Sequence, residues 1–74
     1  MPEIIVKLEQ TDLTPFAQFT IDWADQIIEL HTAEEPNAGH FNALVRYEIN
    51  NILAIMNPTL PDVPFFRELL EIVA

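Results

Sequence analysis

The chain has 74 residues, half of them hydrophobic, and it contains no cysteine. This length predicts a single domain over residues 1–74, and the lack of cysteine excludes disulfides and thiolate metal sites. The formal charge of −9 comes from twelve acids against Lys7, Arg46 and Arg67, and it opposes binding to nucleic acid or to an anionic membrane.

The start of the chain has neither the basic region nor the long apolar stretch of a secretory signal. No apolar run approaches the roughly 18 residues that a membrane-spanning helix needs. We therefore expect no membrane association and a cytoplasmic location.

Residues 3–9, EIIVKLE, alternate between the set Ile4, Val6 and Leu8 and the set Ile5, Lys7 and Glu9. This pattern predicts a short strand or extended segment. A single strand is not stable alone, so it would pair with a copy of itself, add to a partner's sheet, or lie over the helices. The sequence leaves these three arrangements open.

A first helix is predicted from Thr14, a suitable N-cap, and Pro15, a suitable first helical residue, to about His31. Its apolar residues form two neighbouring stripes, which predicts burial on most sides. Trp23 lies on one of these stripes and is interpreted as a core residue. A narrow polar line remains: Gln18, Asp22, Asp25 and Glu29.

A break is predicted over 32–38, where Thr32 and Glu35 fit a capping box and Asn37 is a second possible cap. The next helix is predicted over 38–56, on a core set of Phe41, Leu44, Val45, Ile49, Ile52, Leu53 and Met56. Three prolines then end it, and Asp62 is a candidate cap for a last helix over 63–74. The expected fold is mostly α: a small three-helix domain with a short N-terminal extended segment or strand.

His31 and His40 are the first candidates for a metal site, because they could face each other across the break with Glu34 or Glu35 as a further ligand. Their spacing matches no known metal motif, and a histidine near a helix C-terminus is also favoured by the helix dipole. The chain has no serine or cysteine nucleophile, and its one glycine cannot form a phosphate-binding loop. We therefore predict no catalytic residue, no metal, no cofactor and no enzymatic activity.

The distribution of charge indicates an interaction surface instead. Between Lys7 and Arg46 there is no lysine or arginine. We predict that the acids of the first helix and of the following break contact Lys and Arg groups of a partner protein. A solvated face that only keeps the protein soluble is the alternative. Tyr47 is either a further interface residue or part of the core, and the predicted partner-binding acids are Asp22, Asp25, Glu29, Glu34 and Glu35.

These features predict a small acidic protein-binding module that regulates or inhibits a larger partner with a basic surface. In size, compactness and acidity the chain resembles, in general terms and without a shared motif, the small inhibitors that phages encode against nucleic-acid-handling machinery. The alternative function is a structural homodimeric adaptor or assembly subunit, with the dimer contact on the wide apolar surface of the first two helices. A metal-dependent or acid–base enzyme is the third and weakest class.

Overall fold

The computed structural model describes residues 1–33, 37–56 and 63–74. Within these ranges the chain forms four helices and no strand: α1 (Glu3–Gln10), α2 (Gln18–Ala33), α3 (Ala38–Met56) and α4 (Val63–Ile72). The prediction of a mostly α fold is confirmed. The predicted count of three helices was wrong, because the segment expected to be extended is a helix.

The first helix, α1, replaces the strand or extended segment predicted over residues 3–9. Ile4, Ile5 and Leu8 are buried, whereas Val6 is exposed. Ile4, Ile5 and Leu8 lie on one side of a helix, because residues three and four positions apart share a helical face. A strand would instead have placed Val6 on the same side as Ile4 and Leu8. The carbonyl of Pro2 accepts hydrogen bonds from the backbone N–H groups of Ile5 and Val6, at 3.1 and 3.2 Å, and so begins the helix.

The second helix begins three residues later than Thr14 and Pro15 predicted. Thr14 N donates to Asp12 Oδ1 at 3.0 Å, so the threonine lies in a turn and does not cap the helix. The hydrogen bonds of the Thr14 side chain and, second, of its backbone N–H lower the pKa of Asp12. The first helical bond of α2 runs from Thr20 N to Ala17 O, at 2.9 Å.

Asn37 caps the N-terminus of α3. Its side-chain Oδ1 accepts a hydrogen bond from His40 N at 3.0 Å, which begins α3 at the predicted residue. Thr32, expected in a capping box, lies inside α2 instead, where its hydroxyl donates to Ile28 O at 2.8 Å. The other residue of that box, Glu35, and the predicted cap of the last helix, Asp62, lie outside the described residues.

The helices form a bundle in which α1 contacts α2 and α4, and α4 contacts α3. Aromatic side chains join α2 to α4: the Trp23 and Phe66 rings meet edge to face with centroids 5.3 Å apart. Arg46 links α3 to the end of α4, because its Nη2 donates to Val73 O at 2.9 Å. The buried hydrophobic core draws on all four helices: Ile4, Ile5, Leu8, Trp23, Ala24, Ile27, Phe41, Val45, Ile49, Ile52, Met56, Val63, Phe65, Phe66, Leu69 and Val73.

The second helix is less buried than its two apolar stripes predicted. Thr20, Trp23, Ala24 and Ile27 face the core, but Phe19 is 45% exposed. A chain of this size buries only part of its apolar surface, so one side of a widely apolar helix stays exposed. Within the described residues, no helix is both long enough and apolar enough to cross a membrane.

Candidate functional site

Three predicted partner-binding residues lie together on the outer side of α2. Asp22, Asp25 and Glu29 are all exposed, and their spacing of three and four residues places them on one side of the helix. The core-facing residues of α2 lie on the opposite side. We call Asp22, Asp25 and Glu29 the acidic face; from first to last it extends about 10 Å along the helix axis.

No cation neutralises the acidic face within the part of the chain that the structure describes. The single ion pair found there joins Lys7 Nζ to Glu68 Oε2 at 3.3 Å. Arg46 is held by the carbonyl of Val73. Residues 34–36 and 57–62, which are not described, contain no lysine, arginine or histidine, so they cannot supply a cation.

The acidic face carries an energetic cost for α2 by itself. Like charges three or four residues apart destabilise a helix by about 0.2–0.5 kcal/mol a pair. Gln18 Nε2 donates to Asp22 Oδ1 at 3.1 Å, which orients that carboxylate without neutralising it. The three charges therefore remain available to cations outside the bundle.

Of the other predicted partner-binding residues, the structure describes only Tyr47. Tyr47 lies on a different helix, α3, where its side chain is 64% exposed, so it is not part of the core. Glu34 and Glu35 lie outside the described residues. The structure thus brings together three of the six residues predicted for the site.

The two histidines are used in separate ways. The ring of His31 packs edge to face on Phe41, with centroids 5.2 Å apart, and so joins α2 to α3. His40 is exposed in the first turn of α3. In residues 1–33, 37–56 and 63–74 no three His, Cys, Asp or Glu side chains are grouped to hold a metal ion, and no pocket is found there.

A second outer surface lies on α3, one of the two helices to which the sequence assigned an apolar dimer contact, but its residues were not predicted as a set. Leu44, expected in the core, is 44% exposed, and Ile55 is 81% exposed. With Tyr47 and Asn51 they follow a spacing of three and four residues, parallel to the core line of the same helix. We call Leu44, Tyr47, Asn51 and Ile55 the α3 stripe. The sequence signal for this stripe is a second apolar line at helical spacing in the same helix. A single bundle buries only one of the two lines.

The acidic face offers exposed charge, and the α3 stripe offers exposed apolar area. Comparisons with protein-family models, with curated proteins and with solved structures gave no match to this chain.

Proposed function

We propose that the protein is a small acidic protein-binding module that regulates or inhibits a larger partner through the partner's basic surface. The observation that carries this proposal is the acidic face: three exposed carboxylates on one side of α2 with no ion pair in the described structure. The chain acts by occupying that surface and has no catalytic step and no cofactor. We place it in the cytoplasm, without direct contact to nucleic acid or membrane.

Electrostatic attraction supports such a role because unpaired charges act before contact. A surface of one sign accelerates association with a surface of the opposite sign. The fold also keeps two of the chain's three basic side chains occupied, since Lys7 pairs with Glu68 and Arg46 binds Val73 O. An approaching basic surface therefore meets carboxylates with few competing cations.

A partner that normally holds nucleic acid would suit this surface, and a phage-type inhibitor of nucleic-acid-handling machinery is the specific form of the proposal. Duplex DNA carries one charge for about every 1.7 Å of its axis. The acidic face has only three charges over about 10 Å, so it is too sparse to imitate a duplex alone. We propose that Glu34 and Glu35 contribute further negative charge to the contact with the partner.

The test compares two variants of equal charge on a purified partner. The partner is first captured from the cells of origin with the tagged chain and then purified. The α2 variant carries Asp22→Lys, Asp25→Lys and Glu29→Lys, and the control carries Glu3→Lys, Glu9→Lys and Glu71→Lys. Each adds six charge units to −9 and gives −3. All six positions are exposed, and helical circular dichroism should remain intact in both.

We expect the α2 variant to bind the partner at least tenfold more weakly, about 1.4 kcal/mol, and the control to lose much less. Equal losses in the two variants would mean that only net charge matters. Unchanged affinity of the α2 variant would mean that the acidic face only keeps the protein soluble.

A structural homodimeric adaptor or assembly subunit is the second candidate function. The observation that favours it is the exposure of Leu44, Tyr47 and Ile55 along α3. Large apolar side chains grouped on one surface often mark an interface. In this second function the acidic face would serve solubility.

A further inference from the structure

We infer that the α3 stripe is a self-association surface, on which a second copy of the chain packs its own α3 in antiparallel orientation. This inference deepens the second candidate function and does not depend on the acidic face. It narrows the dimer surface predicted from the sequence, which used the apolar surfaces of the helices now called α2 and α3, to one side of α3.

The geometry of α3 separates the stripe from the core. At 100° per residue, Leu44, Tyr47, Asn51 and Ile55 fall within an arc of about 80°. The centre of this arc lies about 120° from the centre of the buried line, which runs from Phe41 to Met56. The core contacts of α3 therefore leave the stripe uncovered, and a straight helix can lie along it.

The order of residues in the stripe is self-complementary. In an antiparallel pair with its two-fold axis at the level of Ile49 and Asn50, Leu44 meets Ile55 of the other copy. Tyr47 then meets Asn51 of the other copy, and the phenol hydroxyl can form a hydrogen bond with the amide. The two-fold symmetry repeats this hydrogen bond on the other side of the axis. A polar Asn within an apolar helix seam also fixes the register of the pair.

The formal charges of the helices favour a second copy of the chain over a basic partner at the α3 stripe. The acids of α2 give that helix a formal charge of −3, and α1 and α4 each carry one more acid than base. In α3 the charges of Arg46 and Glu48 cancel, so α3 is the one of the four described helices without formal charge. Two acidic chains repel each other least when they approach through α3, and a basic partner finds little there to attract it.

The exposed area indicates a weak, reversible dimer. The exposed parts of Leu44, Tyr47 and Ile55 amount to roughly 400 Å², within the range of the largest apolar patch on a typical monomer. A stable interface buries about 800 Å² on each partner, so the stripe needs its polar flanks as well. We expect a dissociation constant on the order of 10 µM, lower at high salt because salt screens the repulsion between the copies.

Sedimentation equilibrium between about 10 and about 500 µM tests this interface. The variant Leu44→Gln with Ile55→Gln keeps the net charge and should weaken the dimer at least tenfold. Phe19→Gln is the matched control, because Phe19 on α2 is 45% exposed and Leu44 is 44% exposed. It should leave the dimer unchanged, and circular dichroism should show all variants folded.

Cross-linking tests the antiparallel orientation, since the chain contains no cysteine of its own. Oxidation of a mixture of Leu44→Cys and Ile55→Cys chains should give mainly the disulfide between the two different variants. A predominant disulfide between two Leu44→Cys chains would show a parallel pair and overturn the orientation.

The outcomes separate this inference from both candidate functions. A monomeric mass for the wild type at the highest concentration would reject self-association, and with it the homodimeric adaptor. A dimer that survives the Leu44→Gln, Ile55→Gln variant would reject this interface but leave the adaptor function standing. Failure of the acidic-face test on a basic partner would leave the α3 interface unaffected.

Discussion

The outer faces of α2 and α3 are both exposed, but the face of α2 is charged and the face of α3 is largely apolar. On α2, Asp22, Asp25 and Glu29 form a line of charge with no basic residue to neutralise it in the described structure. On α3 the formal charges cancel, and Leu44, Tyr47 and Ile55 are exposed. One small bundle thus carries a charged surface, whose electrostatic field acts over a distance, and an apolar surface, which acts only on contact.

The largest expected effect compares two isoleucines of α3. Ile49 is fully buried, whereas Ile55 is 81% exposed on the α3 stripe. Ile49→Ala should cost about 2–5 kcal/mol because it leaves a cavity in the core. Ile55→Ala should change the free energy of unfolding of the monomer by less than about 0.5 kcal/mol.

Urea unfolding at low micromolar concentration, followed by the emission of the buried Trp23, measures both isoleucine variants. Similar costs for the two would mean that α3 is rotated relative to the described bundle, and the α3 stripe would then not exist as a surface.

A smaller effect is expected at Arg46, which lies on α3 but outside the stripe. Arg46→Met removes the hydrogen bond of 2.9 Å to Val73 O and should lower stability by about 1–2 kcal/mol. The exposed Arg67→Met is the control and should stay within about 0.5 kcal/mol. Thermal unfolding of the two variants measures the difference, and equal stabilities would remove Arg46 as the link between α3 and α4.

Substitutions of two carboxylates, one in an ion pair and one on the acidic face, test whether the acidic face lacks a cation. Glu68 has a partner in Lys7, but the Lys7 and Glu68 side chains are 42% and 62% exposed, so Glu68→Gln should destabilise by at most about 0.5 kcal/mol. Asp25 has only like-charged neighbours on its face, so Asp25→Asn should stabilise by a few tenths, roughly 0.2–0.5 kcal/mol. Chemical denaturation at low salt resolves the sign, and a destabilising Asp25→Asn would reveal a cation at the acidic face.

The smallest expected effect is the titration of Asp12, which lies on neither face. The hydrogen bonds from Thr14, that of the side chain first, hold the pKa of Asp12 below its ordinary value. The ionised form therefore favours the fold above about pH 3.9, the value in an unfolded chain, and this contribution is lost as pH falls through the lower folded pKa.

Thr14→Ala should raise the Asp12 pKa towards the ordinary value, as measured by carbon NMR of the carboxyl group. Asp25 in the same spectra is an internal control. An unchanged Asp12 pKa in this variant would show that the hydroxyl plays no part.

The elements that could be predicted from the sequence are those where one signal dominates. The bounds of α3 were correct because Asn37 supplies a cap and a long apolar line follows it. The prediction of a strand over residues 3–9 was wrong, because so short a segment fits both the alternating and the helical pattern. Which of its residues are buried depends on contacts with α2 and α4.

The exposed positions of the acidic face could also be predicted, since charged residues at helical spacing opposite an apolar line face solvent. An apolar surface on the helix over 38–56 was predicted as well, but the residues of the α3 stripe were not. Leu44 has the spacing of a core residue, and a sequence does not state how many neighbouring helices are present to cover it.

Analytical ultracentrifugation over a salt series, with and without the purified partner, tests the contrast between the two faces most directly. Between about 0.05 and about 0.5 M salt, binding of the partner to the acidic face should weaken because its charges are screened. Self-association through the α3 stripe should strengthen over the same range, since salt screens the repulsion between two acidic chains. Both equilibria moving in the same direction with salt would contradict the assignment of charge recognition to α2 and of apolar contact to α3.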